Sequence, residues 1–169
     1  MKVLVIWYSR SGNTTKVARE IMRALEEQSD EVHVEKQELK EVGVKREVAV
    51  GWLKSGRDAT LKRKVSIRPV LFDVSSFDLV VIGTPVWAMN MTPAVRVFCE
   101  EHGPSCPRVA FFCTMSGKGD ERVYREMTQG CRKQPIATLS VADRVATDRD
   151  THQLAAKVEA FARTCVGGG

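Results

Sequence analysis

The chain has 169 residues, enough for one well-packed domain and short for two. Its 43% hydrophobic and 28% charged content is that of an ordinary globular protein, and no apolar run approaches a membrane span or a signal-peptide core. By the absence of such signals a cytoplasmic protein is expected. The net charge of +5 is concentrated, because residues Glu35 to Arg68 hold ten Lys/Arg against five Asp/Glu and leave the remainder neutral. The signs there are mixed and Trp52 is the sole aromatic, so a solvated helix and loop is expected and not a nucleic-acid site. Five cysteines (Cys99, Cys106, Cys113, Cys131, Cys165), odd in number and without a C-x-x-C pair, read as buried thiols.

The first element, Val3–Tyr8, is a nearly continuous apolar run, as expected of a strand covered on both faces. It empties into Ser9-Arg-Ser-Gly-Asn-Thr-Thr15, and the spacing of Val17, Ala18, Ile21, Met22 and Leu25 then predicts a helix over Thr14–Gln28. Glu31–Gln37 alternates through Val32 and Val34 and predicts a strand nearer an edge. Leu39–Arg68 is ambiguous, although Val48, Trp52 and Ala59 would share one side of a helix. Phe77–Thr84 predicts a buried strand. Pro93 starts a helix with Val95, Phe98 and Cys99 inward. Val109–Thr114 predicts a strand, Glu121–Cys131 a helix through Val123 and Met127, Ile136–Val141 a last strand, and Leu154, Val158, Phe161 and Cys165 a closing helix. The glycines at 167–169 read as a disordered tail behind one domain over residues 1–166.

Alternating strands and helices predict an α/β doubly wound sheet, whose ligand site lies beyond the carboxyl ends of the strands. The segments leaving the first, third and fourth strands are chemically unusual, as that rule requires. Ser9–Thr15 places hydroxyls and a glycine before a helix N-terminus, where backbone N–H groups and the helix dipole bind a phosphate without needing a lysine. The competing reading is a capping turn, with Ser11 or Thr14 as the N-cap. The loop lacks the Gly-Lys-Ser/Thr ending of a P-loop and the three spaced glycines of a dinucleotide site, so a terminal monophosphate is expected. A phosphoacceptor receiver domain would need carboxylates at strand ends that here read Trp7-Tyr8 and Gly83-Thr84. The other two loops are Thr84-Pro-Val-Trp-Ala-Met-Asn90 and Thr114-Met-Ser-Gly-Lys-Gly-Asp120.

With Tyr8-Ser-Arg-Ser-Gly-Asn-Thr14, Gly83-Thr-Pro-Val-Trp87 and Ser116-Gly-Lys-Gly-Asp120 in this order, the chain resembles the flavodoxin-like FMN-binding family over nearly its whole length. The resemblance implies a five-stranded flavodoxin-like fold and FMN as cofactor. It makes Ser9, Arg10, Ser11, Gly12, Asn13 and Thr14 the phosphate loop, with Arg10 where the family often has an uncharged residue. Thr84, Pro85, Val86, Trp87 and Ala88 would flank the isoalloxazine ring on one side, and Thr114, Ser116, Gly117, Lys118, Gly119 and Asp120 on the other. Trp87 would stack on the ring. Gly117 and Gly119 would let backbone N–H groups approach its pyrimidine edge, and Asp120 would cap the next helix.

Two departures stand out. Electron-carrying flavodoxins are usually acidic, and they often place a second aromatic three residues after the aspartate. Here that position is Val123, followed by Tyr124, so either the loop shifts by one residue or one ring face lacks an aromatic cover. The expected function is electron transfer with a redox partner protein or a small-molecule acceptor, by a monomer or homodimer. The first alternative is an FMN-dependent NAD(P)H or quinone oxidoreductase, and the second a flavin-free binding module using the basic 35–68 segment. Neither nucleic acid nor membrane insertion is expected, and Trp52 is expected near the flavin-binding edge.

Overall fold

The computed structural model describes residues 1–43, 65–146 and 151–167. The helix expected around Trp52 and most of the basic segment lie outside the described residues, as do residues 168 and 169. Gly167 itself ends the last helix.

Five parallel strands form one sheet: β1 (Lys2–Trp7), β2 (His33–Glu38), β3 (Leu79–Pro85), β4 (Val109–Met115) and β5 (Thr138–Ala142), in the order β2-β1-β3-β4-β5. This is the flavodoxin-like doubly wound order, with its switch point between β1 and β3. The pairing runs from Val3 opposite Leu79 to Trp7 opposite Gly83, and from Val80 opposite Val109 to Pro85 opposite Thr114. The three central strands are the continuous apolar runs. β2, at one edge, has a single apolar residue, Val34, and half its positions exposed, as expected of a strand nearer an edge.

Successive side chains of a strand point to opposite faces, and both faces are covered here. Val3, Val5 and Trp7 join a core with Val17, Ile21 and Leu25 of helix α1 (Asn13–Glu26) and with Leu154, Val158 and Phe161 of the closing helix, Thr151–Gly167. Leu4, Ile6 and Tyr8 join the opposite core. It contains Ala94, Val95 and Phe98 of α2 (Pro93–Glu101) and Val123 and Met127 of α3 (Asp120–Cys131). Between β5 and the closing helix, which is therefore α5, the chain makes a single short turn, α4 (Asp143–Ala146). The sequence pattern does not announce that turn. All five cysteines are buried and free of disulfides, as expected.

Helix boundaries agree with the periodic residues to within about three residues. Arg96, although charged, is buried in α2, with its Nη2 3.5 Å from the Glu126 carboxylate of α3. This pair ties the two helices together on their shared face of the sheet.

Candidate functional site

Three loops meet beyond the carboxyl ends of β1, β3 and β4. The first closes on itself: the Gly12 N–H donates to Ser9 Oγ at 3.1 Å, which curls the chain just before α1. Gly12 is the N-cap, at φ +94°, and no side chain caps the helix. The capping-turn reading fails on this point, since neither Ser11 nor Thr14 takes that position. Ser11 is exposed. Thr14 is buried and shares a 2.8 Å hydrogen bond with the Thr114 hydroxyl at the end of β4. Gly12 has open space where a side chain would begin. An uncapped helix start, a left-handed glycine and open space above it together suit a phosphate. The residues present therefore fit the monophosphate end of FMN.

The second loop is a tight turn. Trp87 and Asn90 exchange both backbone hydrogen bonds at 2.9 Å, with Ala88 at φ +47° and Met89 at φ +62° between them. Two successive positive φ angles give the mirror-image type I turn, which ordinarily recruits Gly or Asn. Here Asn90 supports it from the side, its Nδ2 donating to the Ala88 carbonyl at 2.6 Å. The turn holds Trp87 half-buried, edge-on to Tyr8 with ring centroids 5.5 Å apart. The Arg10 guanidinium lies over the Trp87 ring, 5.2 Å from its centroid. The phosphate loop and the tryptophan loop are thus joined by a cation–π contact. Thr84 does not face this space: its buried hydroxyl bonds the Pro85 carbonyl at 3.0 Å and pairs with the Thr92 hydroxyl. Pro85 ends β3, and the Val86 N–H donates to the Thr114 carbonyl at 2.8 Å.

The third loop leaves β4 with Ser116, Gly117 and Lys118 exposed. Gly119, at φ +120°, packs so tightly that a methyl group there would lie 2.9 Å from Met89 Cα and 3.0 Å from Val86 Cγ1. The second and third loops are therefore in contact. Asp120 does not cap α3, because Gly119 holds the N-cap position. Its carboxylate instead accepts from Ser140 Oγ at 2.7 Å, and Ser140 pairs with the Tyr124 hydroxyl at 3.0 Å. The Tyr124 hydroxyl in turn lies 3.3 Å from Cys113 Sγ. Burial pushes the Cys113 thiol up to about 11 and raises the Tyr124 phenol strongly, so both stay neutral at physiological pH.

Val123 and Tyr124, at and just after the expected second-aromatic position, are both committed to the interior. Tyr124 stacks on Phe111 with centroids 6.5 Å apart and spends its hydroxyl inside the fold. Val123 is fully buried.

One residue that sequence reasoning did not select also reaches the site. Asp143, at the start of α4, accepts from Asn13 Nδ2 at 3.4 Å through Oδ1 and from Ser116 Oγ at 2.5 Å through Oδ2. No local pattern marks it, since its partners are 130 and 27 residues away.

The family model described as NADPH-dependent FMN reductase matches residues 1–108. No curated protein sequence matches the chain significantly. Among solved structures, a Lactobacillus acidophilus flavoprotein in complex with FMN is 21% identical, with 89% of this chain and 98% of that one covered and a TM-score of 0.64. Two-electron reduced Megasphaera elsdenii flavodoxin is 19% identical, covering 95% and 98% with a TM-score of 0.60. Oxidised flavodoxin 1 from Bacillus cereus is 16% identical, covering 99% and 98% with a TM-score of 0.63. At these identities the structural likenesses show the fold. None of the described helices is long and apolar enough to cross a membrane.

Proposed function

Since the chain belongs to the NADPH-dependent FMN reductase family, we propose that it is an FMN-binding oxidoreductase that takes electrons from NAD(P)H, and not a dedicated electron carrier. Bound FMN supplies the redox chemistry, and the protein supplies binding, orientation and access. The uncapped start of α1 and the Ser9–Asn13 loop hold the phosphate. Trp87, steadied by Tyr8 and Arg10, covers one side of the ring. The Ser116–Gly119 backbone lies along its edge, where N–H groups favour the negative charge that builds up on reduction.

The observation that carries the enzyme reading is the inward commitment of Tyr124. With its hydroxyl tied to Ser140 and Val123 in the core, no aromatic among the described residues covers the ring from the third loop. That leaves a face on which a planar nicotinamide can lie. Quinones share that planarity and are the natural second substrates to try.

The test is a stepwise reduction of the FMN-loaded protein by NADPH and, separately, by dithionite, followed in the visible spectrum. Rapid bleaching by stoichiometric NADPH in a single two-electron transition is the expected result. Two resolved one-electron transitions with dithionite, together with indifference to NADPH, would make the protein a carrier. Equal affinity for riboflavin and FMN would remove the phosphate loop from the assignment.

A further inference from the structure

We propose that Asp143 is a positioning residue that clamps the phosphate loop to the ring-edge loop and so fixes the spacing between the two ends of the ligand site. The proposal deepens the FMN reading above and rests on it for its ligand. Its structural basis is independent of any ligand. One carboxylate oxygen holds Asn13, the first residue of α1, and the other holds Ser116, just past the end of β4. Those partners follow strands that are not neighbours, because β3 lies between β1 and β4 in the sheet. No backbone ladder therefore sets the distance between their loops at this point. The buried Thr14–Thr114 hydroxyl pair joins the two elements at the base of the loops. Asp143 adds a second link, from a third direction, nearer the loop tips, immediately after β5, where the chain turns into α4.

A carboxylate is an unexpected group to find beside a phosphate loop, since like charges repel and the pair would weaken anion binding. What it offers in return is two acceptor oxygens at a fixed separation, each able to form a charge-assisted hydrogen bond. A neutral acceptor would hold one loop. The carboxylate holds both. A ligand that must be gripped at its phosphate and at its ring gains from having that spacing set beforehand, because less ordering remains for binding to do.

The experiment compares wild type, Asp143→Ala, Asp143→Asn and Ser116→Ala by two readouts. The first is amide hydrogen exchange in the flavin-free protein. The second is the dissociation constants of FMN and riboflavin. Asp143→Ala is expected to speed exchange in both 9–14 and 116–120 while leaving the sheet protected, and to weaken FMN about tenfold, the effect of one charge-assisted hydrogen bond. Asp143→Asn keeps an acceptor oxygen and should recover part of both effects. Ser116→Ala should loosen 116–120 more than 9–14. Unchanged exchange in either loop of the alanine variant would overturn the clamp, and so would tighter FMN binding, which would make the carboxylate merely a repulsive neighbour. Should Asp143→Ala fail to fold, the asparagine and Ser116 variants decide by the same exchange pattern. If wild type binds no flavin, the functional reading fails while the exchange data still judge the clamp.

Discussion

Gly119→Ala is the most direct probe of how the tryptophan loop and the ring-edge loop support each other. At φ +120° the residue occupies backbone space that L side chains avoid, which costs about 1–2 kcal/mol for any substitution. The added methyl would also lie 2.9 Å from Met89 Cα, 3.0 Å from Val86 Cγ1 and 3.2 Å from Met89 Cβ. A main-chain atom cannot swing aside as a side-chain tip does, so the turn itself must move. Overpacking of this kind costs about 1–3 kcal/mol, and the two contributions together come to about 3 kcal/mol. For a domain of this size that lowers Tm by about 6–12 °C. Because the displaced atoms belong to the turn carrying Trp87, FMN affinity should fall too, on the order of tenfold. The control is Gly117→Ala, where an added methyl meets nothing within 4 Å. Its flavin-free form should stay within about 0.5 kcal/mol of wild type. Thermal melts of both flavin-free variants, then fluorescence titrations with FMN, test the argument. A Gly119→Ala protein melting with wild type, or a Gly117→Ala protein losing as much as Gly119→Ala, would refute it.

Two further outcomes follow from the same geometry. Trp87→Ala should leave FMN bound, about tenfold more weakly and with brighter flavin emission, since a stacked tryptophan contributes about 0.5–1.5 kcal/mol beyond its buried area; unchanged affinity and emission would make Trp87 a packing residue only. Burial raises the Cys113 thiol to about 11 and the Cys165 thiol to about 12, whereas the unfolded chain releases these protons near 8.5. Above that pH the unfolded state binds fewer protons, so stability is whole below about pH 8.5 and declines toward pH 11, by up to about 1.4 kcal/mol per pH unit for Cys113. Urea melts at pH 7.5, 8.5 and 9.5 read this slope, and a flat profile for wild type, or a Cys113→Ser variant no flatter than wild type, would contradict it.

The parts of the fold that could be read from sequence are those whose cause is local. A strand buried on both faces must be apolar throughout, so Val3–Tyr8, Phe77–Thr84 and Val109–Thr114 announce themselves. The helices followed from their stripes, and the doubly wound order pointed to the three loops beyond β1, β3 and β4 as the candidate site. The roles of individual site residues were less legible. Thr14 and Thr84 carry hydroxyls that look available in sequence, yet both are spent on Thr114 and Thr92, partners eight to a hundred residues away. Tyr124 follows Val123 by one helical step, and only the packing against Phe111 shows which way it faces. Arg10 could not be assigned without knowing that Trp87 comes to rest beneath it. Asp143 lacked any local signal.

The turn at Trp87–Asn90 breaks a local rule most openly, and its surroundings explain how it survives. Neither Ala88 nor Met89 is a residue that favours φ above zero, and each such placement costs about 1–2 kcal/mol. Asn90 Oδ1 is buried without a hydrogen-bond partner, which adds to the cost. The opposing terms all come from outside the two strained residues. They are the paired backbone bonds of Trp87 and Asn90, the Asn90 side-chain bond to the Ala88 carbonyl, and the Met91 N–H donated to Glu126 at 3.3 Å. Glu126 is itself held by Arg96 across the α2–α3 interface. The strain is thus carried by the helix pair beneath the sheet's carboxyl edge. In return, the turn seats Trp87 half-buried against the core beside Tyr8, with the Arg10 guanidinium over its ring, and it leaves Met89 half exposed beside Gly119. Backbone strain that so many neighbours over-determine is the kind found at binding sites, and here it sits where the three loops converge.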